Sequence, residues 1–302
     1  MSVRDVLVKM LDRPGGRWAL AAIATSYARR LNRRITGVPP LRVLYDRKVG
    51  AWGRAQGRRV VIDGATFKYF ADDLSLTADG VPPWVAIARQ LWYREYQPKP
   101  GDVILDIGAE VGTDTVAFAD AVGPTGRVIA VEAHPVTCRL LERTVELSGI
   151  GDRVTCLNAA ITSTAGTVII EDDSVSTLRS TIVREGSGHK VRGLSLDDLC
   201  AELGLKDVAL LKMNIEGAER DALQGANGTL AKTRHVVVAA HDFRADRGDG
   251  ESYRTRDFVL KLLSAAGLAT QMAPWDPRRD AAAYRDHVLA RHPEPLQART
   301  DR

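Results

Sequence analysis

Apolar and polar positions follow two alternating periods along the chain, and the switches between them mark the elements. Val103-Ile104-Leu105 is a short unbroken apolar run, the pattern of a parallel strand buried on both faces. Asp106 ends it, Gly108 and Gly112 form a turn, and the spacing predicts a helix over Thr113–Val122. Val128–Val131 is the next strand, closed by Glu132. Pro135–Ser148 predicts a helix with Val136, Leu140, Leu141, Val145 and Leu147 as its apolar stripe. Val154–Leu157 is a third strand, ending at Asn158-Ala159, and Thr167–Ile170 is another. Leu196–Leu203 reads as a short helix capped by Ser195.

Val208 to Glu216 predicts a strand, Gly217–Gly225 a helix with Glu219 in its first turn, and His235–Ala240 a further core strand carrying His241 and Asp242 at its C-terminal end. A helix over Tyr253–Ala266 stops at Gly267, and Leu268–Met272 and His287–Ala290 read as the last strands. Strands that alternate with helices imply an α/β chain with a mostly parallel, doubly wound sheet.

The part before this sheet reads differently. Arg17–Ile35 predicts a helix with Leu20, Ile23, Tyr27 and Leu31 on one side and Arg29, Arg30, Arg33 and Arg34 at its end. Short strands are predicted at Arg59–Ile62, Thr66–Phe70 and Leu74–Leu76. Pro82-Pro83 then opens a helix over Trp84–Tyr96, whose Trp84, Trp92, Tyr93 and Tyr96 are expected to cover the core. The domain reading is an N-terminal extension over 1–97, the sheet domain over 98–292, and a polar, disordered tail over 293–302. The Ser/Thr-rich stretch Ser174–Gly188 reads as a mobile loop able to act as a lid.

Charge changes the picture only at the front. The net charge of the 302 residues is +4, but residues 1–60 hold 14 Lys/Arg against 3 Asp/Glu, so the remainder is acidic. That basic segment suits an anionic membrane surface, a nucleic acid, a second subunit or the acidic body itself. Peripheral membrane contact and homo-oligomer formation both stay open. Nucleic acid is disfavoured, because the acidic core lacks a basic, aromatic base-stacking platform. No apolar run reaches the roughly 18 residues of a membrane span, and the N-terminus shows no signal-peptide pattern. Three scattered cysteines, with no C-x-x-C, fit small core residues in a reducing cytoplasm and no zinc site.

Two stretches carry chemistry. The turn Asp106-Ile-Gly108-Ala-Glu-Val-Gly112 lacks the closely paired glycines of the dinucleotide fingerprint, and Glu110 inside it would repel a pyrophosphate. Glu132, one strand away, is placed to accept hydrogen bonds from two ribose hydroxyls. Together they argue against NAD and for a cationic nucleoside such as S-adenosylmethionine (SAM), with Asn158 near the adenine edge. The second stretch puts Lys212, Asn214 and Glu216 at i, i+2 and i+4, hence on one face of a strand that should be apolar. Burying such groups unpaired costs several kcal/mol, on the order of a lost charge–charge or hydrogen-bond partner, so they pair with each other, with a ligand or with solvent in a cleft. His241, on the same rim, has a side chain suited to take a proton from a hydroxyl.

These motifs resemble the FkbM family of SAM-dependent methyltransferases. The "DxGAxxG" loop stands as Asp106-Ile-Gly108-Ala109-Glu-Val-Gly112, and an acidic second-strand end as Val131-Glu132. The "LKxDxEGxExxxLxGA" signature runs from Leu211-Lys212-Met-Asn214-Ile-Glu216-Gly217 through Glu219 and Leu223 to Gly225-Ala226, with Leu196-Asp197-Asp198-Leu199 matching "LDDL" upstream. The resemblance covers about Pro98 to Pro293. It implies a Rossmann-like class I methyltransferase sheet of seven strands, the last one antiparallel, and O-methylation of a hydroxyl on a sugar, polyketide or lipid-linked glycan.

On this reading the cofactor SAM is held by Asp106, Gly108, Ala109, Glu110, Gly112, Glu132, Ala133, Asn158 and Ala159. His241 is the proposed base, Lys212, Asn214 and Glu216 position or polarise the acceptor, and no metal is expected. Two residues depart from the family pattern: Asn214 stands in place of Asp, and Glu110 in place of Asn. The first weakens the case for a divalent cation or a strong base at this strand end.

Overall fold

The computed structural model of the chain describes residues 43–46, 51–54, 83–171, 181–183, 188–276 and 284–293. The helix expected at 17–35, the strands expected at 59–76, the tail beyond 293 and most of the 174–188 loop lie outside the described residues.

Strands β1 (Val43–Asp46) and β2 (Ala51–Arg54) form an antiparallel pair by themselves. Helix α1 (Pro83–Trp92) follows. The body alternates β3 (Val103–Ile107), α2 (Thr113–Val122), β4 (Arg127–Glu132), α3 (Pro135–Ser148) and β5 (Val154–Asn158). A second sheet interrupts it, built from β6 (Ala160–Ile161), β7 (Gly166–Glu171), β8 (Thr181–Val183) and β9 (His189–Leu194) in the order β6-β9-β7-β8. The alternation resumes with α4 (Leu196–Glu202), β10 (Val208–Met213), α5 (Glu219–Gln224), α6 (Asn227–Leu230), β11 (Thr233–Ala239), α7 (Asp242–Asp246), α8 (Arg256–Ala265), β12 (Ala269–Met272) and β13 (His287–Arg291).

The main sheet has seven strands in the order β12-β13-β11-β10-β3-β4-β5. The five strands from β11 to β5 are parallel, and β13 runs antiparallel to both of its neighbours. The expected class I methyltransferase sheet with a reversed last strand is therefore present.

Strand alternation explains the layers. Ile104, Val128, Leu210, Val237 and Leu289 face one way, against Phe118, Leu141 and Trp92 of the first three helices. Leu105, Ile129, Leu211, Val236 and Val288 face the other way, against Leu199, Leu223, Leu230 and Val259. With apolar cover on both faces, the central strands can be apolar nearly throughout, and all six residues of β10 are buried. Local signals set the helix starts: Ser195 Oγ accepts from Asp198 N at 3.0 Å, and His134 Nδ1 accepts from Val136 N at 3.3 Å ahead of Pro135.

The expected aromatic cover is seen at Trp92, which is buried, and at Tyr93 and Tyr96, which pack partly buried on the core. Cys138 and Cys200 are buried, Cys156 is half-buried, and all three are free thiols. Among the described residues no helix is long and apolar enough to cross a membrane.

Parallel strands deliver their C-terminal ends to one rim. Register places Ile107 beside Val131 and Met213, and Glu132 beside Asn158. The chain winds outward from β3 through β4 and β5, then returns to the other side of β3 with β10 and β11. The crevice at such a reversal, outside the strand ends, is where open α/β sheets bind ligands.

Candidate active site

A cleft opens at that crevice, with an empty space of about 780 Å³ including its mouth. Its wall is apolar at Ile107, Val131, Ala133, Ala159, Ala160 and at Ile161 and Ile170 of the second sheet, and acidic at Glu110, Asp114, Glu132 and Glu216. None of the described side chains that line it is basic.

The glycine turn is built by backbone bonds. Gly108 N and Ala109 N both donate to Val131 O, at 2.9 and 3.0 Å, pinning the turn to the end of β4. Gly108 has φ +75, and a Cβ there would stand 2.0 Å from the Asn214 carbonyl oxygen. Gly112 has φ +92, and a Cβ there would meet Leu141 Cδ1 at 2.9 Å. The room that the sequence assigns to a ligand at these glycines is thus taken by the protein itself: neighbouring chain packs where side chains would be. Gly108 still lines the cleft; Gly112 does not.

Glu132, expected to hold a ribose, lines the cleft at the end of β4. Its two oxygens accept from Glu110 N at 3.0 Å and His134 N at 2.9 Å, which aims a half-buried carboxylate into the cleft. Burial pushes its pKa up to about 7 against those two N–H bonds, and the nearby charge of Glu110 adds to the rise. Asn158, next to it in register, spends its amide hydrogens on the carbonyls of Glu132 and Ala133, at 3.0 and 2.9 Å. It shapes the end of β4 and is not among the cleft-lining residues; the apolar end of the cleft is made by Ala133, Ala159 and their neighbours.

Asp106 and Ala109 are buried behind the turn. Asp106 accepts from Thr115 Oγ1 at 2.6 Å and from Lys212 Nζ at 2.8 Å. Lys212, wholly buried, also donates to the Gly108 carbonyl at 2.8 Å, stands 3.6 Å from Asp114 and lies 5.1 Å from the centre of the Trp92 ring. Burial alone would lower its pKa, but Asp106 and Asp114 hold it above the ordinary lysine value. Its ammonium faces the cofactor turn from behind and is not part of the cleft wall. It therefore braces the turn instead of touching an acceptor.

The strand expected to reach Glu216 ends at Met213, so the period-two argument stops at Lys212. Asn214 N donates to Ile107 O at 2.9 Å, and the chain then turns, with Glu216 at φ 53. A left-handed backbone is uncommon for a side chain that is neither Gly nor Asn. Here it swings the Glu216 carboxylate into the cleft, beside Asn214. The only other non-glycine residue with positive φ among the described residues is Glu110, at φ 55, which also lines the cleft.

Behind Glu216 lies a charged chain. His241 Nε2 is 3.5 Å from Glu216 Oε1, and His241 Nδ1 is 2.9 Å from Glu219 Oε1. Glu219 is fully buried and also accepts from Thr255 Oγ1 at 3.0 Å and Gly217 N at 3.1 Å. Arg244 donates to Glu216 Oε2 at 2.6 Å and to Asp249 at 2.9 Å, with its guanidinium 3.9 Å from the Tyr253 ring centre. Burial would lower the pKa of His241, but hydrogen bonds and charge from Glu216 and Glu219 lift it to about 10. Burial likewise works to raise Glu216, and His241 and Arg244 bring it down to about 2. An imidazolium has no lone pair for a proton, and His241 is 4 % exposed and absent from the cleft wall. The base role predicted for it is not the one this geometry favours.

Of the residues singled out in the sequence, the structure gathers Gly108, Glu110, Glu132, Ala133, Ala159, Asn214 and Glu216 into one cleft. Asp106, Ala109, Gly112, Lys212 and His241 are buried outside its lining, and Asn158 is exposed outside it. Sequence reasoning missed Asp114, Arg244 and the Ile161 and Ile170 wall, and gave Glu219 no role. The first two are charged residues a few positions past a recognised motif; the wall comes from a non-local sheet pairing.

A family model for the methyltransferase FkbM domain matches residues 106–267. The chain belongs to that family. The FkbM-domain match starts at the buried Asp106 and ends just past α8, so it spans both walls of the cleft. Among curated relatives, the 2-O-methyltransferase NoeI of Sinorhizobium fredii is 30% identical over 162 residues, 48% of this chain and 65% of NoeI. The hexuronic acid methyltransferase AglP of Haloferax volcanii is 26% identical over 57% of this chain and 65% of AglP. The 31-O-demethyl-FK506 methyltransferase FkbM of Streptomyces tacrolimicus is 26% identical over 59% of this chain and 76% of that protein. The chain thus spans just under two thirds of the length of the first two.

SAM is the cofactor of FkbM-domain methyltransferases, and the cleft fits it. Its apolar lining suits an adenine, and Glu132 lines the same space. The acidic remainder suits a sulfonium and an ammonium, and would repel the pyrophosphate of a dinucleotide.

Proposed function

We propose that this FkbM-domain protein transfers a methyl group from SAM to a hydroxyl oxygen of a sugar-containing or polyketide-type acceptor. The observation that carries the reading is a pair of carboxylates in the lining of one cleft: Glu132, which we assign to the ribose, and Glu216, which we assign to the acceptor. The relatives named above, which act on a hexuronic acid, on a 2-O position and on a demethylated FK506 oxygen, support the acceptor class.

Bound in the cleft, SAM supplies a methyl group activated by a sulfonium. The protein's task is then to align a hydroxyl with it and to receive one proton. Glu216 is the group able to do both. Its carboxylate reaches the cleft, and Arg244 and His241 fix its direction from behind. Methylation of a neutral hydroxyl yields a protonated ether, a strong acid, so a carboxylate whose pKa is only about 2 suffices to take the proton. His241 is a positioning residue here: clamped by the buried Glu219, it keeps Glu216 ionised and aimed. Asn214, beside Glu216, can hydrogen-bond the acceptor.

The test has two steps. A thermal-shift series should show the protein stabilised by SAM and by S-adenosylhomocysteine but not by NAD. Incubation with methyl-labelled SAM and fractionated glycans and polyketides should then place label in an alkali-stable ether. Label in nucleic acid, or in carboxyl esters that alkali removes, would sink the O-methylation reading.

A further inference from the structure

Glu110 is the residue by which this chain departs from its family in the cofactor turn. It is a half-buried acidic side chain in a left-handed backbone position that asparagine would fill with less strain. It lines the cleft, and its own N–H bonds Glu132 Oε2 at 3.0 Å. It therefore begins one hydrogen bond away from the carboxylate placed to hold the ribose. Asp114 and Glu216 face the same space, and none of the described side chains lining the cleft is basic.

In SAM the sulfonium is joined to the ribose through a single carbon, so a ribose held at Glu132 brings the cation near this acidic wall. Methyl transfer breaks the sulfur–carbon bond as the carbon–oxygen bond forms. The bonding pair stays on sulfur, the hydroxyl proton leaves to Glu216 or solvent, and the ligand loses one positive charge. The donor and its demethylated product have almost the same shape, so charge is the property by which a wall of carboxylates can tell them apart.

We propose that Glu110 is a specificity-determining residue that makes the cleft hold the sulfonium donor more tightly than the neutral thioether product. This rests on the reading that the cleft binds SAM. Coulomb attraction in a half-buried, water-connected cleft makes one carboxylate worth about fivefold in affinity for a unit charge several ångströms away. The thioether, with no charge at sulfur, forgoes most of that. The role follows from the site's field, so it requires no direct contact between Glu110 and the sulfur.

The experiment compares the affinities of SAM and S-adenosylhomocysteine by calorimetry, with no acceptor present, in the wild type, Glu110→Gln and Glu110→Asn. Asparagine suits the left-handed position, so it keeps the turn folded if glutamine does not; thermal unfolding checks both. The expected result is a SAM affinity weakened about fivefold in the variants, S-adenosylhomocysteine affinity within about twofold, and a gap that shrinks at high salt. An equal change for both ligands, or none for SAM, overturns the proposal. If the wild type binds neither ligand, it is the cofactor reading itself that fails, a distinct outcome visible before any variant is measured.

Discussion

Lys212 Nζ donates to the Gly108 carbonyl at 2.8 Å, so an ammonium on β10 holds the backbone of the turn that follows β3. The same nitrogen pairs with the buried Asp106. Replacing it with Met leaves that carboxylate buried without its cation, at a cost of about 3–5 kcal/mol. It also releases the turn. We expect Lys212→Met to lower stability in urea titrations and Lys212→Arg to lower it less. In whichever variant stays folded, SAM affinity should drop while turnover with saturating SAM changes less. Unaltered SAM affinity would contradict the bracing role.

Glu132 predicts a pH dependence. Its pKa is raised to about 7, and a ribose is held best by the ionised form. As pH falls from 8 to 6 the carboxyl protonates, and SAM affinity should weaken by up to about tenfold, a protonated site being lost by one decade per pH unit below its pKa. Glu132→Gln should bind weakly throughout and show no such slope. Calorimetry at three pH values is enough to see it.

His241 predicts a stability slope of the opposite sense. A histidine raised from 6.5 to about 10 contributes stability that is complete below pH 6.5 and disappears as pH climbs toward 10. Glu216, lowered to about 2, contributes above pH 4.5 and loses its contribution as pH falls toward 2. The unfolding temperature of the wild type should therefore decline between pH 6.5 and 10 more steeply than that of His241→Gln. Parallel curves would remove the charged Glu216–His241–Glu219 chain.

Gly108 and Gly204 make a matched pair of substitutions. Both have positive φ, +75 and +61, but an alanine Cβ meets the Asn214 oxygen at 2.0 Å in the first case and nothing within 4 Å in the second. Gly204→Ala should cost only the strain of a left-handed residue, about 1–2 kcal/mol. Gly108→Ala must push two strand ends apart, and should lose SAM binding and several times that stability. Denaturant curves of the two variants give the comparison.

The sheet was legible in the sequence because its strands are buried on both faces, and the runs at 103–107, 208–211 and 235–240 need no partner information to be read. Ser195 and Pro135 marked their helices for equally local reasons. The structure departs from the sequence reading where a local rule met a long-range contact. Period two carried β10 three residues too far, because nothing in Met213-Asn214-Ile215-Glu216 announces that Asn214 N bonds to Ile107 O and turns the chain away. Lys212 looked like an acceptor group for the same reason: its partner Asp106 is 106 residues distant. His241 suggested a base by residue type and by its place on the rim, while its protonation is decided by two carboxylates that only the folded chain sets beside it. The Ile161 and Ile170 wall depends on a second sheet whose pairing no local pattern encodes.

The reversed strand β13 occupies an interior slot between β11 and β12, although it follows both in the chain. During synthesis, then, β12 has no permanent berth until His287–Arg291 has emerged from the ribosome. Until that moment β11 presents a bare hydrogen-bonding edge of Val236, Val237 and Val238, the kind of edge that recruits another chain. The last insertion therefore closes that edge, and cutting the chain before residue 287 would expose it for good.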